Sequence, residues 1–198
     1  MNYPKGVKPI AQGEVIKKSK KSAGRAKIKT GNRGMAFEAA INESNEYYRE
    51  RNLALITKRP TPINVVKVDY SKGALITQAY FEKQSTTDYN GVYKGRYLDF
   101  EAKSTLSKTS FPLHNIPKQQ IDHLERVLSQ GGIAFFLIEC VSLNETYLLP
   151  ASYIIDFYHS RPRQSIPVEK IKKHGHLVKE GYSPRFDYLP LVEEVFLK

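Results

Sequence analysis

At 198 residues with 40% hydrophobic content, the chain is long enough for one domain with a sizeable core, and its single cysteine, Cys140, excludes an intramolecular disulfide and a cysteine-based zinc cluster. No secretory signal is visible and no apolar run reaches membrane-spanning length, so a cytoplasmic protein without a membrane partner is predicted. A net charge of +11 makes a polyanion the expected partner, nucleic acid ahead of membrane.

In chain order, residues 1–33 hold ten basic side chains and one acid, few apolar residues and no periodicity. They are predicted to form a disordered basic arm for phosphates, leaving 34–198 as a nearly neutral body. Gly34 to Asn52 reads as the first helix, with Met35, Phe37, Ala40 and Ile41 at roughly helical spacing. Ala54–Lys58 is a short strand, broken by the stretch Arg59–Pro62. Two β-rich runs about Ser71-Lys72-Gly73 predict a hairpin over about 63–83. It carries Lys67, Lys72, Tyr80 and Phe81, residue types that meet phosphates and stack on bases; the competing reading is a hairpin packed on the core.

The segment from Thr86 to Lys103 is predicted to turn at Asn90-Gly91 and continue as a strand. Side chains alternate along a strand, so Leu98, Phe100 and Ala102 form one face and Tyr97, Asp99, Glu101 and Lys103 the other. Pro117 opens a helix ended by Gly131-Gly132, and IAFFLIEC (133–140) suits a strand buried on both faces. TYLLP adds a strand, and helices follow at 152–159 and 189–197 with a basic, irregular stretch between. The mixture predicts an α/β fold around a central mixed sheet.

Glu101 and Lys103 share a face about 6.6 Å apart, a gap a lysine side chain spans. The turn after Asp88 lets the chain double back and bring that carboxylate beside Glu101. Two adjacent carboxylates repel unless a cation lies between them, and oxygen ligands suit magnesium or manganese. Such an ion makes a nucleophile from water near neutral pH, while a nearby ammonium stabilises charge building on phosphorus. Asp88, Glu101 and Lys103 therefore form a coherent phosphodiester-cleaving set. Asp99 is a rival ligand on the same face, ranked lower because it sits one pleat further back. The competing reading is a solvent-facing strand with a low-value Glu101–Lys103 surface pair. The His174-Gly175-His176 pair is read as a polar loop, and His114 and His123 receive no catalytic role.

The spacing of Asp88 with Glu101-Ala102-Lys103 resembles the PD-(D/E)xK nuclease superfamily. More narrowly, "KRPTP", "STTDYNGVYKGRYLDFEAK", "KTSFPL" and "YSPRFDY" look like the RecU-type Holliday junction resolvases, from about Asn32 onward. The resemblance implies a restriction-endonuclease-like sheet flanked by helices, a protruding stalk hairpin, a homodimer, and magnesium-dependent cutting of four-way DNA junctions in recombination and repair. Under it Asp88, Glu101, Thr86 and Gln120 surround the metal, Lys103 stabilises the transition state, and Glu38 resembles the superfamily's acidic helix residue. Thr87 stands where the superfamily's name has proline. Manganese is the expected substitute metal, and recombination proteins are possible partners. A non-catalytic junction-binding protein and a generic DNA nuclease are the alternatives.

Overall fold

The computed structural model describes residues 30–82, 86–160 and 163–198. Up to residue 29 the basic arm lies outside the described residues. From Thr30 the chain is already helical: α1 runs Thr30–Glu50, four residues earlier than the apolar spacing predicts. That spacing marks only the turns that pack, beginning with Phe37 and Ile41. Asn52 then takes a left-handed φ of 53° and the Leu53 N–H bonds back to the Tyr48 carbonyl at 2.9 Å, which stops the helix.

The strands β1 (Leu55–Lys58), β2 (Ile63–Asp69), β3 (Leu75–Phe81), β4 (Tyr89–Tyr93), β5 (Arg96–Thr105) and β6 (Ser110–Pro112) precede α2 (Lys118–Ser129). After it come β7 (Ile133–Cys140), β8 (Glu145–Pro150), α3 (Ala151–Ser160), β9 (Ser165–Pro167), α4 (Val168–His174), β10 (His176–Leu177), β11 (Lys179–Glu180), β12 (Phe186–Asp187) and α5 (Leu189–Phe196). The main sheet has six strands in the order β1-β4-β5-β7-β8-β10. It is mixed: β5 and β7 run parallel, and the other neighbours run antiparallel. A parallel neighbour needs a long crossover, supplied by the segment carrying α2.

The sheet separates two cores. On one face Leu98, Phe100, Phe135 and Leu137 meet Phe37, Ile41 and Tyr48 of α1 and Val192 of α5. Within this core Tyr89, Phe100 and Phe135 stack in series, with centroids 4.9 and 4.6 Å apart. On the other face Phe136, Ile138 and Leu149 meet Ile121 and Leu124 of α2, Ile154 of α3 and Ile171 of α4. The central strand β7 thus feeds both cores, which is why it reads as an unbroken apolar run.

Three expectations change. Asn90-Gly91 is not a turn but the middle of β4, where Asn90 pairs with Asp99 and Gly91 with Leu98. The glycine is there for space: a Cβ would lie 2.2 Å from the Leu55 carbonyl oxygen of β1. The chain reverses instead at Lys94-Gly95, both at positive φ, as a tight hairpin requires. The basic, irregular stretch after α3 holds short elements, including α4, whose Val168 and Ile171 are buried three residues apart. Segments this short escape a periodicity search. The polar loop expected at His174-Gly175-His176 is the junction of α4 and β10, where the His174 ring stacks on Tyr153 at 4.3 Å.

The β2–β3 hairpin forms its own two-stranded sheet, and all seven residues of β3 are exposed. It therefore projects from the body rather than packing on the core. Gly73, at φ 110°, closes its tip, and Asp69 accepts a bond from the Ser71 N–H at 2.8 Å. Lys72 lies at this tip. Tyr80 and Phe81 pair with Asn64 and Ile63 at the base, with Lys67 between.

Candidate active site

The register of β4 on β5 brings the acids together. Tyr89 faces Phe100, so Asp88, one residue earlier, falls beside Glu101. The Asp88 N–H donates to Glu101 Oε2 at 2.9 Å, and the Ala102 N–H donates to Asp88 Oδ2 at 3.3 Å. Lys103 Nζ reaches Glu101 Oε1 at 2.6 Å. The pair is not on a solvent-facing strand, because α2 covers this face and leaves the Glu101 side chain 1% exposed and that of Lys103 22%. Gln120, in the first turn of α2, donates from Nε2 to the same Glu101 oxygen at 2.8 Å and to the Thr86 carbonyl at 3.5 Å.

Burial pushes the Glu101 carboxyl up to about 8; the Lys103 charge opposes this and the Asp88 charge adds to it. The site thus disfavours a bare carboxylate and favours anything that supplies positive charge. Gln120 Oε1 is buried beside Glu101 without a hydrogen-bond partner. Buried polar atoms are nearly always satisfied, so an orphaned amide oxygen on the side chain that holds Glu101 fits a cation or its water as a partner. With the two carboxylates and the Thr86 carbonyl, the donors are all oxygen, the set a hard divalent ion takes. Among the described residues no group of three or more His, Cys, Asp or Glu could hold a metal, so any ion here relies on the amide and backbone oxygens as well.

Glu38 stands apart from this group. It lies on α1, on the opposite face of the sheet, and its carboxylate is paired with Lys58 Nζ at 2.5 Å. The link is Tyr89, whose hydroxyl donates to the Glu38 carbonyl at 3.1 Å. Burial, then Glu38, Asp88 and Glu101, all push that phenol up.

Asp99 is not free to act as a ligand. Its fully buried carboxylate accepts from Arg59 Nη2 at 2.6 Å and from the Tyr97 hydroxyl at 2.8 Å, and His123 Nε2 lies 3.0 Å away. Thr87 also donates to it. Sequence reasoning missed this group. Arg59 reads there as part of a strand-breaking stretch, and Asp99 as a rival to Glu101. The one signal was a second acid on the catalytic face of β5 without a lysine two residues on. Thr87 turns toward Asp99, leaving the Thr86 carbonyl to face Gln120. Of the hairpin residues, Tyr80 and Phe81 lie at the end nearest the chain leading to Thr86, and Lys72 is at the far end.

The family model described as "Recombination protein U" (RecU) matches residues 32–194. A protein of Geobacillus kaustophilus named Holliday junction resolvase RecU is 52% identical over 170 residues, covering 83% of this chain and 85% of that one. A Lactococcus lactis protein of the same name is 50% identical over 195 residues, covering 97% and 91%. Among solved structures, Archaeoglobus fulgidus Hjc, titled a Holliday junction resolvase, aligns with a TM-score of 0.41 at 11% identity over 72% of this chain and 94% of that one, a likeness too loose to bear on the site. The chain belongs to the Recombination protein U family.

Proposed function

We propose that this member of the Recombination protein U family is a divalent-cation-dependent endonuclease that binds four-way DNA junctions and resolves them by paired nicks, in recombination and repair. The observation that carries this reading is the convergence of Asp88, Glu101 and Lys103 beside the unpartnered Gln120 Oε1. The names carried by its relatives, Holliday junction resolvase, agree with it.

Asp88, Glu101, Gln120 and Thr86 would hold magnesium, with manganese as substitute. When bound, the ion supplies charge neutralisation at the phosphate and a water acidic enough to serve as nucleophile. Glu101 loses its proton as positive charge arrives, because the burial that raises its pKa is then offset. Lys103, partly exposed with its Nζ 2.6 Å from Glu101, is positioned to stabilise negative charge growing on the phosphate. Glu38, paired with Lys58 across the sheet from these ligands, is given no part in holding the ion.

The projecting hairpin supports engagement of the branch point: Tyr80 and Phe81 offer exposed aromatic faces at its base, and Lys67 and Lys72 phosphate contacts along it. Residues 1–29 would add a phosphate-binding arm that reads no sequence. Paired nicks on opposing strands call for a two-fold dimer, whose symmetry matches the crossover. Contacts with recombination proteins and a cytoplasmic location complete the reading. Among the described residues, no helix is long and apolar enough to cross a membrane.

The test is cleavage of a four-way junction against a matched linear duplex, with and without magnesium, by the native protein and Asp88→Asn. Magnesium-dependent cutting that prefers the junction and is lost in the variant is expected. Equal rates on both substrates would reject junction resolution, and full activity in Asp88→Asn would reject the site.

A further inference from the structure

Arg59 holds the chain around Asp88 at several points. Its backbone N–H donates to the Asp88 carbonyl at 2.7 Å, and its Nη1 donates to Thr87 Oγ1 at 3.0 Å. The other end of the guanidinium, Nη2, is spent on Asp99 at 2.6 Å and the Tyr97 hydroxyl at 2.8 Å. Thr87 closes the ring by donating to Asp99 Oδ1. The Thr87 side chain and the Asp88 carbonyl are therefore both tied to one residue, the first by the Arg59 guanidinium and the second by the Arg59 backbone N–H, with the 87–88 peptide and the Asp88 Cα between those anchors. Asp99 in turn lies two residues from Glu101 on the same face of β5. One strand thus carries both the second carboxylate of the site and the anchor that holds the first.

The ion pair is nearly dry, with side-chain exposures of 18% for Arg59 and 0% for Asp99. Buried pairs often fall short of apolar packing as a source of stability, so one placed here is better accounted for by the geometry it imposes. We propose that Arg59 and Asp99 form a positioning clamp, closed through Thr87, that fixes the 87–88 backbone and thereby sets the affinity of the Asp88–Glu101 site for a divalent cation. Neither clamp residue touches the reacting phosphate; each acts through Asp88. The inference rests on the reading of Asp88 and Glu101 as cation ligands.

The bonding pattern requires arginine. A lysine would keep the charge but bring one nitrogen to Asp99, without the fork that reaches Thr87 at the same time. Asp99→Asn keeps the shape and removes the charge. Thr87→Val keeps the ion pair and the Arg59 N–H bond to the Asp88 carbonyl, and cuts only the link that runs through the Thr87 hydroxyl.

The experiment is a manganese titration of full-length protein without DNA, followed by the electron paramagnetic resonance of free Mn²⁺, on native protein, Arg59→Lys, Asp99→Asn, Thr87→Val and Asp88→Asn. The expected result is a dissociation constant raised about tenfold or more by Arg59→Lys and Asp99→Asn and roughly threefold by Thr87→Val, within the range that supporting residues of metal sites show. The cleavage rate of Arg59→Lys and Thr87→Val should return to within a few-fold of native at saturating metal, which general loss of structure would not produce. Native affinity in a folded Thr87→Val and Arg59→Lys, alongside loss in Asp88→Asn, overturns the clamp alone. Native affinity in Asp88→Asn overturns the ligand assignment beneath it. Should Asp99→Asn fail to fold, the Thr87→Val titration decides the question, because that variant leaves the ion pair intact.

Discussion

Asp88 and Glu101 are bound to each other's strands. The Asp88 N–H donates to Glu101 Oε2 at 2.9 Å, and the Ala102 N–H donates to Asp88 Oδ2 at 3.3 Å. Each carboxylate is thus held by a main-chain donor beside the other. This fixes their separation through the sheet register rather than through flexible side chains.

Glu101→Gln tests the charge of the buried acid. The amide preserves the size but removes a negative ligand. Magnesium-dependent junction cleavage should fall by at least about a hundredfold, while junction affinity without metal stays within a few-fold. Gel-shift and single-turnover assays on the same junction separate the two effects.

The same residue predicts a pH dependence of stability in the metal-free protein. Its folded carboxyl titrates at about 8, against 4.5 ordinarily. Between those values the folded state holds a proton that the unfolded chain has released, so stability is greatest below about 4.5 from this group and declines as pH rises toward 8. Glu101→Gln should flatten that decline, and so should magnesium, which opposes the repulsion. Denaturant melts from pH 5 to 8.5 measure it, and an unchanged slope in the variant counts against the burial argument.

Lys103→Met keeps the apolar stem and removes the ammonium. Cleavage should drop by about two to three orders of magnitude at saturating metal, because charge on the phosphate loses its stabilising donor. Junction binding, proposed to rest on the hairpin and arm, should change little. A variant that loses binding and cleavage in equal measure would assign Lys103 to substrate contact instead.

Gly91→Val addresses the sheet beneath the site. The new Cβ would meet the Leu55 carbonyl oxygen at 2.2 Å and the Ile56 Cα at 2.7 Å, both main-chain atoms that have no rotamer to yield. Separation of β1 from β4 should cost roughly 1–3 kcal/mol, or about 2–4 °C of melting temperature for each kcal/mol. Because Arg59 follows β1 directly, metal affinity should fall as well.

Removal of residues 1–29 takes away nine lysines and arginines. Junction affinity should weaken, and the slope of log Kd against log salt should become shallower, since fewer phosphate counterions are released. Equal slopes for the two proteins would remove the arm from the interface.

Read as residues alone, the chain already showed which groups of the candidate site come together. Strand alternation and lysine reach are local, so Glu101 and Lys103 were legible as one unit, and Asp88 as its neighbour across a reversal. The apolar run 133–140 likewise announced a strand buried on both faces. The register, the covering of β5 and the fate of Asp99 were decided only by tertiary structure. Gly91 is there because β1 occupies the space a Cβ would need, and the reversal falls at Lys94-Gly95, where both residues take positive φ. Asp99 and Glu101 are equivalent by alternation. They part company because Arg59, 40 residues away in sequence, neutralises one, while the N-terminal turn of α2 covers the other and leaves Gln120 Oε1 beside it without a partner. Which charge meets which is a property of segments far apart in the chain, and spacing along a single strand carries no record of it.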